Sequence, residues 1–472
     1  MSRAAWLQEQ LTTENAVWLS RDRSLLAAKY ASMAADPYDW MRGTAGLYLA
    51  DQGRPIADRA PTAFLNEPDA LQVLLLGDPH PENIGVLLVG EGPGPVDEVF
   101  VDAPLSVEWV DLDGSTFGPW LVDLRRAALG MMALTTPLPG CEELCRAEAV
   151  RSLARGYATE LMTLEAGEPG WSASTRTSGE GAIVADLWEE SVEEGAERRR
   201  LNRETVFEGQ ERVLVRDQGL DAEGKGHIAL TKEEQATVDR LLTRYSGDDA
   251  APAGFRVLDV VRRIGSGVAS LPAERYLVLY DRGDVGPHDD QLFQIREVVD
   301  PSWLDPTGQT PAYTASVGGL FDDNAQRLVG APRRLWAAAE GDVRLAGLRD
   351  GVRSFKVTSW GSFAQGLDHA RILRKWEEAD FNAGDTAALG EVLGRAIASA
   401  HARAPDPTDA SVLPALAADL RSAGDDFVEV LAEELATSAL ADHASLMTDH
   451  SLFLELLETW GPLLGADVVY GD

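Results

Sequence analysis

Cysteine is nearly absent from this chain of 472 residues, with only Cys141 and Cys145 present. Two cysteines cannot build a disulfide framework or a four-ligand zinc site, and a reducing cytoplasm is the expected compartment. Basic charge is also short: 42 Lys and Arg stand against 77 Asp and Glu, for a formal charge of -35. Such a chain repels nucleic acid and anionic membrane surfaces at long range, so neither is expected as a partner. An acidic surface also serves solubility, and says little about substrate. Long apolar runs are missing, since nothing approaches the roughly 18 to 20 residues a membrane helix needs. Met1-Ser2-Arg3-Ala4-Ala5-Trp6-Leu7 leads into polar sequence without the apolar core of a signal peptide. The expectation is a soluble protein, long enough for two or three packed lobes.

What is present concentrates between Val73 and Leu124. Val73-Leu74-Leu75-Leu76 predicts a buried strand that delivers Gly77-Asp78-Pro79-His80-Pro81-Glu82-Asn83, a loop with a carboxylate and then a carboxamide. A second strand, Val107-Glu108-Trp109-Val110, ends in Asp111-Leu112-Asp113-Gly114. Acids and an amide then converge on one edge. Hard oxygen ligands on strand ends suit a magnesium ion that keeps positions open for phosphate oxygens, while a separate acid can accept a hydroxyl proton. The plainer alternative is a set of turn acids and an Asx turn capping strands.

These residues resemble the aminoglycoside and choline phosphotransferase branch of the protein-kinase-like fold. Its pattern is Gly-Asp-x-His-Pro-x-Asn, then Asp, then a second Asp twelve residues on, and Gly77, Asp78, His80, Pro81, Asn83, Asp111 and Asp123 fall in register with it. The resemblance implies that Asp78 is the catalytic base, that Asn83 and Asp111 bind metal, and that Asp123 braces the catalytic loop. Asp113 is the second choice of metal ligand. ATP and Mg²⁺ are the implied cofactors, and a hydroxyl of a small molecule is the implied acceptor.

Around this stretch the periodicity predicts helices before Asp36, over 120–134, 141–165, 230–245 and 386–403, with Asp36-Pro37 opening another. Arg42 is expected to reach a phosphate or to sit in a helix-surface ion pair. The segment 165–181 reads as loop, and Glu189 to Arg203 as a solvated helix rather than a phosphate-binding face. Ser246 to Gly254 is the clearest linker. Beyond it come strands at 255–263, 275–280 and 291–299, with the glycine turn Gly265-Ser266-Gly267 after the first. Glycines there let backbone N–H groups approach phosphates, although a lone Gly-x-Gly is more often a tight turn. A helix over 324–340, strands near 343–348 and 354–358 and a hinge at Gly361 follow. The expected class is α+β. We expect a helical lobe over 1–250 carrying the catalytic and metal-binding loops, a nucleotide-covering antiparallel sheet over 251–362, and a helical segment over 363–472 completing the large lobe.

The order of these pieces is unusual. A kinase-like enzyme runs glycine loop, lysine strand, helix, further strands, hinge and helices before its catalytic loop, whereas here the catalytic pieces come first. Leu389 to Ala402 resembles the helix that leads into the catalytic loop, so joining that end to the Asp78 region restores the usual order. We therefore expect a circularly permuted, two-lobed kinase-like fold.

Most of the chain also resembles an uncharacterised bacterial family, domain of unknown function 2252. The resemblance is carried by Asp36-Pro37 with Met41-Arg42-Gly43, by the Asp78 and Asp111 loops, by Asp123-Leu124-Arg125-Arg126, by Gly265-Ser266-Gly267, by Gln294-Ile295-Arg296-Glu297, by Asn324 to Val329 and by Ala400-His401-Ala402-Arg403. Both resemblances imply a lysine where Arg296 stands, and the helix after it lacks the interior glutamate that would hold such a lysine. Arginine is larger and forked, so the exchange is not conservative at a phosphate. Lys356 on a neighbouring strand could substitute, or be a surface lysine. The rival expectation is therefore a pseudokinase, a nucleotide-binding or scaffolding protein without turnover. Asp78-Pro79-His80 is also similar to the opening of two-metal phosphoesterases, but the later histidine ligands are missing. No Gly-x-Ser-x-Gly elbow is present, and the remaining histidines are scattered.

Overall fold

The computed structural model describes residues 2–52, 63–64, 71–88, 105–171, 181–192, 196–217, 225–265, 267–281, 290–299, 320–337, 341–361, 364–406 and 408–460. Ser266 and most of the expected loop at 165–181 lie outside these residues.

The chain opens with α1 (Arg3–Glu14), α2 (Ala16–Arg21), α3 (Arg23–Ala35), α4 (Pro37–Gly43) and α5 (Ala45–Gln52). The acid-bearing stretch forms β1 (Gln72–Leu74), a 3-10 turn (Pro81–Asn83), β2 (Ile84–Leu88), β3 (Leu105–Trp109) and β4 (Phe117–Pro119). It is followed by α6 (Leu121–Thr135), α7 (Glu143–Glu165), α8 (Ala182–Val192) and α9 (Ala196–Glu204). Three short strands, β5 (Thr205–Glu208), β6 (Glu211–Leu214) and β7 (Gly226–Ile228), precede α10 (Lys232–Tyr245). Then come β8 (Arg256–Ile264), β9 (Arg275–Asp281), β10 (Gln291–Val298), α11 (Asn324–Leu335), β11 (Ala346–Asp350), β12 (Arg353–Ser359) and β13 (Ala364–Gly366). The chain closes with α12 (His369–Glu377), α13 (Ala383–Arg403), α14 (Leu413–Ser422) and α15 (Phe427–Trp460). The class is α+β, and among the described residues no helix is long and apolar enough to cross a membrane.

Local chemistry explains several boundaries. Asp36 caps α4 by accepting the Asp39 N–H at 2.9 Å, with Pro37 at the first helical position. α11 carries Pro332 in its last turn and ends at Leu335, short of the expected 340. The strand expected near Val343 begins at Ala346 instead. The expected linker Ser246 to Gly254 is a packed connection: Tyr245 donates its hydroxyl to the Ala250 carbonyl at 3.1 Å, and both residues belong to one apolar cluster. The two cysteines, which a reducing compartment would keep apart, form a disulfide. Cys141 lies in the turn before α7 and Cys145 in its first turn, which brings their Cα atoms to 5.1 Å, within bonding range.

Six strands form one antiparallel sheet in the order β11-β12-β10-β9-β8-β7, and β13-β2-β3 form a second. Side chains alternate across the large sheet. Tyr276, Val278, Phe293, Ile295, Phe355 and Val357 face α10, where Val238, Leu241 and Tyr245 cover them. Their neighbours Arg275, Arg296 and Lys356 therefore share the opposite face. A larger core joins the early and late helices, including Met41, Leu124, Leu153, Ile397 and Phe453. Within it α7 and α13 meet backbone to backbone at glycines: a Cβ on Gly394 would lie 1.9 Å from the Leu153 carbonyl oxygen.

Candidate functional site

Two acid-bearing loops are fastened to each other. The Leu75 N–H donates to Thr116 O at 2.7 Å, and Ser115 Oγ donates to Leu76 O at 3.2 Å. Gly77 has φ +94, and a Cβ there would stand 2.2 Å from Gly114 O, so only glycine lets the loops close. Asn83 joins them from the 3-10 turn. Its carbonyl accepts the Val110 N–H at 2.8 Å, which sets it beside Asp111, and its Nδ2 donates to Asp78 O at 2.8 Å.

A buried relay holds this assembly from below. Asp123, on the first turn of α6, accepts the Leu76 N–H at 2.7 Å and the Gly77 N–H at 3.2 Å. His401 of α13 bonds the same carboxylate through Nε2 at 3.0 Å, and its Nδ1 meets the Tyr157 hydroxyl at 3.1 Å. Burial drives the Tyr157 hydroxyl well above its usual range. Tyr157 is therefore the donor to Nδ1, leaving the Nε2 proton for Asp123.

Asp78 itself faces a cation. Arg126, one turn along α6 from Asp123, donates Nε to Asp78 Oδ1 at 2.7 Å and Nη2 to Met41 O at 2.7 Å. His80 Nε2 stands 3.7 Å from Asp78 Oδ2, and burial pushes the imidazole down to about 4, so it is neutral at pH 7. Among the described residues Asp78 Oδ2 makes no hydrogen bond. Arg42 pairs with Glu82 and Asp39, each at 2.8 Å, which is the ion-pair alternative of the two considered for it.

The sheet supplies the opposite wall. Cross-strand register pairs Arg296 with Arg275 on one side and Lys356 on the other. Arg296 Nη2 bonds the Asp113 carboxylate and reaches Asp111 Oδ1 at 3.4 Å, while Lys356 Nζ bonds Asp113 Oδ1 at 2.9 Å. Burial raises the Asp111 carboxyl, but Arg296 and Lys356 outweigh it and bring the group down to about 2. Lys356 is only 3 % exposed, which removes the surface-lysine alternative. Arg275 has a poorer environment. Its Nη2 bonds Ser270 Oγ at 2.5 Å, its Nε is buried without a partner, and burial together with Arg296 and Arg263 drives the guanidinium well below its usual range. Gly267, at φ +73, lies beside it, since a Cβ there would approach Arg275 Nη2 to 3.3 Å, whereas Gly265, at φ +80, packs against Lys225. The structure thus brings Asp111, Asp113, Arg296 and Lys356 into contact, with Asp78 and Asn83 on the adjoining loop and Gly267 beside Arg275.

Arg126, Arg275 and Arg327 were given no role by reasoning from sequence. Arg126 stands three residues after Asp123, a spacing that shares one helix face. Arg275 follows from strand alternation once its register is known. Arg327 donates to Asp113 O at 2.6 Å and Ser115 O at 3.0 Å, so α11 grips the acid loop with a cation where a glutamate was sought for the strand.

No group of three or more His, Cys, Asp or Glu suited to a metal occurs among the described residues. Two carboxylates and a carboxamide nonetheless match magnesium, which usually keeps water and takes further oxygens from phosphate.

The fold and this cluster define an α+β protein in which two acidic loops meet a cationic sheet face. The chain belongs to the family described as an uncharacterized protein conserved in bacteria (DUF2252), whose model matches residues 21–456. That span holds every residue of the site. No curated protein and no solved structure matches the chain.

Proposed function

We propose that the protein is an ATP- and Mg²⁺-dependent phosphotransferase acting on a hydroxyl of a small molecule, built on a circularly permuted kinase-like fold with two lobes. The observation that carries this reading is the row Arg275, Arg296 and Lys356 beside Gly267, opposite Asp111 and Asp113. Arg275 is a buried guanidinium with no carboxylate bonded to it among the described residues, and a phosphate would supply the missing charge. Asp78 Oδ2 is left to accept the acceptor's hydroxyl proton, with Arg126 fixing Oδ1. Asn83 and Asp111, with Asp113 second, would hold magnesium, which supplies neutralisation of phosphate charge when bound. The permutation is supported by the Leu74 N–H bond to Pro405 O at 3.2 Å, which lays the chain leaving α13 beside the strand entering the Asp78 loop.

A second reading, a pseudokinase that binds or scaffolds without turnover, is favoured by one observation. Arg296 already neutralises both acids assigned to metal. Thermal stability with ATP plus Mg²⁺, and ATP consumption across a metabolite library, separate the two. The transferase predicts both stabilisation and consumption, with Asp78→Asn keeping binding and losing turnover, and Asp111→Asn weakening metal-dependent binding. Binding without consumption selects the pseudokinase. Equal activity in both variants would remove the assignment of Asp78 and Asp111.

A further inference from the structure

Behind Asp78 lies a cavity of about 540 Å³ between α5, α6 and α15. Its charged lining is Arg3, Asp51, Arg125, Arg126, Asp442 and Asp449, with Trp40, Leu47 and Leu129 as apolar wall. It opens along the exposed α15 residues Ala441, Ala444, Ser445 and Thr448. The size is ordinary for a small-molecule site.

Most of the charges in this wall are already matched. Arg3 bonds both Asp51 and Asp449, and Arg126 is committed to Asp78 and to Met41 O. Two are not. Arg125 is only 6 % exposed, yet among the described residues its side chain makes no hydrogen bond or ion pair. Asp442 is likewise without a hydrogen bond or ion pair among those residues, and the two do not pair with each other. Leaving a buried guanidinium and a half-buried carboxyl unmatched is costly, and it is relieved by a ligand that presents the opposite charges. Burial pushes the Asp442 carboxyl up to about 6, with Arg125 pulling it partly back and Asp51 adding to the rise, as befits a carboxyl short of a close cation.

We infer that this cavity is a binding site for a small zwitterion, its carboxylate taken by Arg125 and its ammonium by Asp442. A ligand with only one charge would satisfy one group and strand the other. Because Arg126 lines the cavity and also grips Asp78, an occupied cavity is one residue removed from the proposed catalytic carboxylate. The inference does not require the phosphotransferase reading, and its test contains no nucleotide.

The probes are the ω-amino acids from glycine to 6-aminohexanoate, with butyrate and butylamine as single-charge controls, titrated calorimetrically into the full-length protein. At least one member of the series is expected to bind at least tenfold more tightly than either control. Asp442→Asn removes the anion at nearly constant shape and should weaken that binding tenfold or more while leaving butyrate unaffected. Arg125→Lys keeps a cation for folding but not the fork, and should weaken zwitterion and butyrate alike. Absence of heat with the whole series, or unchanged affinity in a folded Asp442→Asn protein, overturns the inference. Thermal melts of both variants establish that they are folded.

Discussion

Replacing Asp123 by Asn tests whether the relay beneath the Asp78 loop sets that loop's stability. Asp123 Oδ2 accepts from Leu76 and His401, and Oδ1 accepts from Gly77. An amide keeps one oxygen. If that oxygen stays with Leu76 and His401, the new NH₂ group faces the Gly77 N–H, donor against donor, at a cost of about 1–3 kcal/mol for the buried unsatisfied group. The two remaining bonds lose the assistance of a charged acceptor, roughly 1 kcal/mol each. The sum is about 3–5 kcal/mol, and the opposite flip is worse because it strands two donors. Urea denaturation followed by tryptophan fluorescence reads the global loss, and hydrogen exchange over residues 72–83 reads the local one. Tyr157→Phe cuts only the last link, His401 Nδ1, and should cost about 1 kcal/mol. An Asp123→Asn protein within about 1 kcal/mol of its parent, with unchanged exchange at Leu76 and Gly77, refutes the reasoning.

Two further outcomes follow from the same loops. His80 is held near 4 by burial, below its ordinary 6.5, so the unfolded chain binds the proton more readily between those values. Stability is therefore complete above about pH 6.5 and falls as the pH drops towards 4, by up to about 3 kcal/mol, and His80→Asn should flatten that limb in pH-dependent urea titrations. Gly77→Ala must adopt φ +94 with its methyl 2.2 Å from Gly114 O, so it should cost about 3 kcal/mol or more and lower the melting temperature sharply.

Much of the site was legible because its chemistry is local in sequence. Asp78 and Asn83 share one loop, Asp111 and Asp113 share another, and strand alternation alone places Arg296 opposite Phe293 and Ile295. What could not be read were contacts made across long separations. Arg126 meets Asp78 only because α6 turns back beneath the loop, and Arg327 reaches Asp113 from 214 residues away. Arg275 escapes a sequence reading because a strand's first residue shows no period by itself, and its meaning comes from the register with Arg296. The linker expected at 246–254 fails for a related reason: Gly, Asp and Pro mark a turn, but only packing tells whether the turn separates units or, as here, ties α10 to its sheet.

Arg296 is where fold and function press against each other. A lysine in its place would be a single point charge, and Lys356 already occupies Asp113 Oδ1, so one of the two acids would be left for a metal. The longer arginine instead reaches Asp111 and Asp113 together through its Nη2. If phosphate is the partner this row awaits, the positive charge matters more than the fork. Arg296→Lys should then hold ATP·Mg²⁺ affinity within about threefold, while Arg296→Gln should lose about 10- to 100-fold, the equivalent of one charged hydrogen bond of about 1.5–3 kcal/mol. Melting temperatures taken without nucleotide separate this loss from any cost of leaving Asp111 and Asp113 to Lys356 alone. A folded Arg296→Gln protein that binds ATP·Mg²⁺ as tightly as its parent would mean that the guanidinium serves only to pin the acid loop to the sheet.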